Sequence, residues 1–242
     1  MPLKIDSTKI IWIFALSILG VSIFLFLADA TLNYSLWLSN RDLRKFFNMT
    51  REDSLSNWIS SLIQVSLAAV AILNAFVVSQ LHLPRWKVWA WLGVGLLFFQ
   101  LALDDGTKLH ERMGSSLKVL IPWFPSFAWQ ITFGAVYGVA GLVMLGFLIH
   151  EFKSRDLLKF VWISMILIAI SQGMDFCEGL EDLFYVPAGA LLGVDSGALL
   201  HFSKTAEEML EFWGFMFMGV ALLSYFFGQL EKFTSLKGVK AS

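Results

Sequence analysis

Long apolar runs alternate with shorter polar segments along the whole chain. A bilayer core of about 30 Å needs about 20 helical residues, so runs of this length read as membrane spans. Six qualify, at 10–28, 58–83, 86–103, 129–149, 157–174 and 209–227, and none contains proline. The second carries the uncharged polar residues Gln64, Asn74 and Gln80. No repeat, heptad or low-complexity tract interrupts the pattern. The expected fold is all-α: a polytopic integral membrane bundle of about six transmembrane helices over residues 1–242.

The first span has a rival reading. Lys4 and Lys9 precede an apolar stretch ending Ala28-Asp29-Ala30, the small-x-small form of a signal-peptide cleavage site. The apolar run is longer than a usual signal core, which favours a retained helix. Either reading places residue 31 onward outside the cytoplasm.

Composition agrees with the spans. Hydrophobic residues make up 57% of the chain and charged residues 15%, too little polar surface for a soluble domain of 242 residues. The one cysteine, Cys177, excludes an internal disulfide framework. A net charge of -1 argues against a nucleic-acid partner. The expected partners are membrane lipids and, in one reading, other membrane subunits.

Charge is unevenly spread. With both termini cytoplasmic, ten Lys and Arg lie on inner segments and eight on outer ones, a weak bias in the direction of the positive-inside rule. The acids divide much more sharply, with four inside and fifteen outside. The two membrane faces therefore differ chemically. The outer connections are also the longer ones. Residues 31–55 mix Leu36, Trp37, Leu38, Leu43, Phe46 and Phe47 with charges, as an interfacial amphipathic helix does. Residues 115–127 hold Pro122, Trp123 and Pro125, and 184–200 are rich in Gly and Leu, so both read as interfacial cover.

Three span ends gather the ionisable groups: Asp104 to Glu111, Asp175 to Asp182, and His201 to Glu211. Counting crossings places all three on the same face. At about 100° per residue, Gln100, Asp104, Thr107 and Glu111 share a stripe if the third helix runs on past Gly106. His110 falls toward the edge of that stripe and Asp105 turns away. Ser171, Gln172, Asp175, Glu178 and Asp182 share a face of the fifth helix, from which Glu181 departs. His201, Lys204, Glu208 and Glu211 align on the sixth, with Glu207 at the margin. Ionisable groups at membrane depth normally face the bundle interior, so the stripes predict a shared polar cavity.

Carboxylates with one or two imidazoles suit Zn, Mn or Fe. The expected metal ligands are Asp104, His110, Glu111, Asp175, Glu178 and His201, with Glu208 and Glu211 as catalytic acid–base groups. The chemistry would be that of a metal-dependent membrane hydrolase or oxygenase acting on a lipid-like substrate. Neither Glu-x-x-His nor His-Glu-x-x-His occurs, so the imidazole supply is thin. The bland reading is that the acids mark where helices leave the membrane; Glu211 fits it least, since it lies further into its span. Two other functions compete: a proton or cation transporter or channel subunit, and a non-catalytic subunit of a larger membrane complex. Haem between His82 and His150 is a weaker expectation, and acids around Cys177 disfavour a nucleophilic thiolate. Gly134, Gly138 and Gly141 have small-xxx-small spacing and predict close helix packing on the fourth span.

Overall fold

A computed structural model describes residues 6–34, 40–121, 123–152 and 155–240. The side chains of Tyr34, Glu111, Ser115, Arg155 and residues 237–240 lie outside that description. Among the described residues the regular structure is entirely helical. Six helices are long and apolar enough to cross a membrane. These are α1 (Ser7–Asp29), α3 (Leu55–Gln80), α4 (Arg85–Thr107), α6 (Trp129–Glu151), α7 (Arg155–Glu178) and α9 (Ser196–Lys240). Three short helices lie between them: α2 (Arg41–Phe47), α5 (Leu109–Leu117) and α8 (Glu181–Leu192). A π-helical turn, Ala30–Tyr34, continues α1.

Local chemistry sets the starts of the spans. The Asp6 side chain accepts from the Lys9 N–H at 3.1 Å and Ser54 caps α3, while Pro84 precedes α4. Each satisfies or dispenses with backbone donors that a helix start leaves unpaired. Within the spans the backbone bonds to itself, which hydrocarbon surroundings require.

The long α9 is the hub. It packs against α1, α3, α7 and α8, while α3 also pairs closely with α4. Leu25 of α1, Leu67 of α3, Trp91 and Phe98 of α4, and Phe212 and Leu222 of α9 are fully buried between them. Two glycines let α9 approach its neighbours. A Cβ on Gly214 would lie 2.7 Å from Ile168 Cγ1, and one on Gly219 would lie 2.3 Å from Phe14 Cε1. The close seam expected on the fourth span is not found there. A Cβ on Gly134 or Gly138 would meet nothing within 4 Å, because α6 packs lightly against α4, α5 and α7 and turns Val136 and Val139 outward. Outward-facing Leu16, Leu62, Phe76 and Leu96 present apolar surface suited to lipid. Trp12, Trp58, Trp86, Trp89 and Trp123 are exposed near span ends or in the connection before α6, as interfacial belts require.

Helix boundaries differ from expectation at the acidic face. The last helix begins at Ser196 rather than near 209, because its first turns find polar partners on α1 and α7. Among the described residues of the expected amphipathic helix over 31–55, α2 is the α-helix that forms; Leu43 and Phe46 are exposed, and Phe47 meets Phe24 edge-on at 6.1 Å. Leu36, Trp37 and Leu38 lie outside the described residues. The Gly- and Leu-rich segment after Glu181 forms α8, which ends where Gly193 adopts a left-handed φ of 66°.

Candidate acidic site at the ends of α4, α7 and α9

The corner between α4 and α5 determines where His110 goes. The α4 helix stops at Thr107, and Lys108 takes the left-handed conformation, φ 56° and ψ 40°. The continuous helix behind the stripe argument is therefore broken one residue before Leu109. The chain turns back so that the His110 backbone N–H donates to Asp104 Oδ1 at 2.8 Å, while its Nδ1 lies 3.1 Å from Asp104 Oδ2. The Tyr137 hydroxyl donates to the same Oδ2 at 3.0 Å, and the Trp129 ring packs on His110 at 4.7 Å. Burial opposes the imidazolium, but hydrogen bonding and attraction to Asp104 outweigh it and hold the His110 pKa above its ordinary value. His110 thus has an acid partner of its own.

Asp105 does turn away from Asp104, but not out of the bundle. It faces α3, where its Oδ2 accepts from Ser60 at 3.2 Å and from the Gln64 amide, and its backbone carbonyl accepts from Asn57 at 2.8 Å. Helical phase sets Asp105 off the polar stripe when α4 has a single buried face. The close α3–α4 pairing makes a second.

On the other wall, α7 and α9 bring Asp175, Glu178 and Glu207 together. One carboxylate oxygen from each lies within 4.8 Å of the other two. Asp175 Oδ2 accepts from Gln130 Nε2 at 2.7 Å. Glu178 Oε2 pairs with Lys204 at 2.7 Å, while Oε1 is buried with no hydrogen-bond partner among the described residues. Beyond this triad, Glu211 accepts from Ser171 Oγ at 3.0 Å and Gln172 Nε2 at 3.1 Å. Glu211 lies ten residues along α9 from His201, about 15 Å at 1.5 Å per residue, further into the apolar part of the helix.

A cavity of about 380 Å³ opens over the triad. Its walls carry five carboxylates, Glu52, Asp175, Glu178, Glu207 and Glu208, against Lys118, Lys204 and His110. Glu211 and Asp105 lie close enough to repel the neighbouring acids. Buried like charges at this density need protons or cations to balance them.

The expected ligand residues therefore separate. Asp175 and Glu178 come together, joined by Glu207, which phase put at the margin of its stripe. Asp104 and His110 form their own pair, and the Glu111 side chain lies outside the described residues. His201 stands apart from the triad. Its Nε2 lies 2.7 Å from Oδ2 of fully buried Asp29, which also accepts from Thr205 at 3.2 Å. His201 joins α9 to the end of α1. Glu208 lines the cavity, and Glu211 lies deeper. At the opposite membrane face, Lys87 pairs with buried Glu151 at 2.7 Å, and Tyr225 donates to the same carboxylate. His150, near this pair, packs on Trp86 at 5.4 Å.

Fold and site together define a six-span helical membrane protein with an acidic cluster at one end. The chain belongs to the family described as Domain of unknown function (DUF8692), whose model matches residues 11–226. No curated protein and no solved structure matches the chain.

Proposed function

We propose that this protein is a metal-dependent membrane enzyme in which Asp175, Glu178 and Glu207 hold one divalent cation at the non-cytoplasmic face, with both termini cytoplasmic. The observation that carries this reading is the convergence of three carboxylate oxygens within 4.8 Å in the wall of a cavity. The partnerless Oε1 of Glu178 supports it, since a buried carboxylate oxygen normally has a donor or a cation. An all-carboxylate set favours a hard ion such as Mn²⁺ or Mg²⁺ over Zn²⁺. The imidazoles expected to favour Zn are engaged by Asp104 and Asp29.

The cation would supply a water of lowered pKa. Glu208, in the cavity wall, would be the side chain placed to take up and return a proton during hydrolysis. Gln130 fixes Asp175, and Ser171 with Gln172 fixes Glu211. The substrate is lipid-like and reaches the site from the bilayer. A transport path is less well supported, because Asn74 spends its amide on the Leu222 carbonyl at 3.3 Å within the helix packing.

Titration of detergent-purified protein with Mn²⁺, followed by electron paramagnetic resonance, tests the site. The expected result is one tight Mn²⁺ per chain, lost in Glu207→Gln. Weak binding at many sites, unchanged by that substitution, would refute it.

A further inference from the structure

A second cavity, of about 630 Å³, lies between α7, α8 and α9. It is lined by Met174 and Cys177 of α7, Phe184 and Leu192 of α8, and Leu199 and Phe202 of α9, among others. Its two hydroxyls, on Tyr185 and Ser203, bond to each other at 2.7 Å and ask nothing of an occupant. The volume falls in the usual range for small-molecule pockets, roughly 300–1,000 Å³.

The two cavities share a seam. On α7, Met174 and Cys177 face the apolar cavity, while Asp175 and Glu178 face the acidic one. On α9, Phe202 and Ser203 line the first, and Lys204 and Glu207 the second. The Glu178–Lys204 ion pair, 2.7 Å long, bridges α7 and α9 at this seam. The far wall is α8, whose Leu183 and Leu191 are exposed at the same membrane face.

We infer that the apolar cavity holds one acyl or isoprenoid chain of a lipid whose head group lies at the Glu178–Lys204 pair. This rests on the proposed function and adds the subsite that gives the substrate its class. The chain enters where α8 meets the bilayer, so the polar end is delivered to the carboxylates while its tail stays out of water. An apolar chain satisfies such a lining by burial alone. Adjacency to the acidic cavity, with Cys177 beside Glu178 on α7 and Ser203 beside Lys204 on α9, selects a lipid over a protein helix, because a lipid carries a polar group at the end of an apolar chain.

The test reconstitutes the full chain in phosphatidylcholine nanodiscs doped with a phosphatidylcholine carrying a diazirine on one acyl chain. After irradiation, adducts are mapped by mass spectrometry and metal content is measured on the same sample. Labelling of Met174, Leu199 and Phe202 should exceed that of Leu16 and Leu27, which face lipid on α1. Gly173 lines the cavity, and a Cβ there meets nothing within 4 Å, so Gly173→Phe fills the space without a clash at the backbone. That variant should lose the excess labelling and keep its metal. Even labelling along α1 and α9, or an excess that survives Gly173→Phe, would overturn the chain site even where metal is bound. Excess labelling in metal-free protein would keep the lipid site and remove only the metal.

Discussion

His110 is half-buried against Trp129 with its Nδ1 3.1 Å from Asp104, and this pair gives the protein a defined pH response. The folded His110 pKa is raised above the unfolded value, about 6.5 for a free imidazole. Its stabilisation is therefore complete below that value and is lost as pH rises through the folded pKa. Thermal melts in detergent should show stability falling above about pH 6.5, and His110→Gln should flatten that part of the profile. A wild-type profile with the opposite slope, abolished by the same substitution, would contradict the assignment. Gln130 offers a second test at this scale. Its amide holds Asp175 at 2.7 Å, and removing such an outer partner typically costs about 10–100-fold in metal affinity. Gln130→Leu should weaken Mn²⁺ binding by that factor while leaving the stoichiometry at one. Asp104, His110 and Asp175 stand out in the sequence as site residues, but neither pairing is legible there. Lys108 is not a glycine, so nothing marked it as the left-handed residue that ends α4 and folds His110 back on Asp104. Gln130 lies on a helix that carries no acidic cluster.

Helix pairs are joined at both membrane faces by polar contacts. At the face opposite the acids, Lys87 of α4 pairs with Glu151 at the end of α6, and Tyr225 of α9 donates to the same carboxylate. Removing one partner of a buried ion pair typically costs about 3–5 kcal/mol, whereas replacing both can be nearly neutral. Lys87→Met should therefore destabilise the fold by about 3 kcal/mol, and Lys87→Met with Glu151→Leu should recover most of that. Chemical denaturation in mixed micelles reads both. Equal losses in the single and double variants would show that the pair does not act as a unit. The spans themselves were readable, because hydropathy over about 20 residues reports directly on lipid exposure. Their ends were not. The apolar span of α9 begins near 209, and the polar turns before it, already helical by phase from His201, are held where His201 meets Asp29 and Lys204 meets Glu178. Likewise the Gly stripe on α6 has the spacing of a packing face, but packing depends on which neighbour arrives, and α9 has the close approaches instead.

Across the whole molecule, six spans return the chain to its starting face, and the acids collect at one end. The proposed orientation puts that end outside. In a Cys177→Ser background, Ser116→Cys near the acidic face should react with an impermeant maleimide on intact cells. Ser235→Cys should react only after permeabilisation, and the reverse pattern would invert the topology. Three helix ends were expected to share one polar cavity, and His110, Asp175, Glu178, Glu207 and Glu208 do line one, though the close pairings within it differ from end to end. The α4 end pairs its acids with His110, Tyr137 and Gln64, the start of α9 ties to α1, and the α7–α9 seam gathers the triad. That triad is the centre of the account. Elemental analysis of detergent-purified protein, beside a Glu178→Gln, Glu207→Gln variant checked for an unchanged melt, addresses it most directly. The expected result is close to one divalent transition metal or Mg²⁺ per wild-type chain and none in the folded variant. A folded wild-type protein that carries no metal, and takes up none from added Mn²⁺, would contradict it.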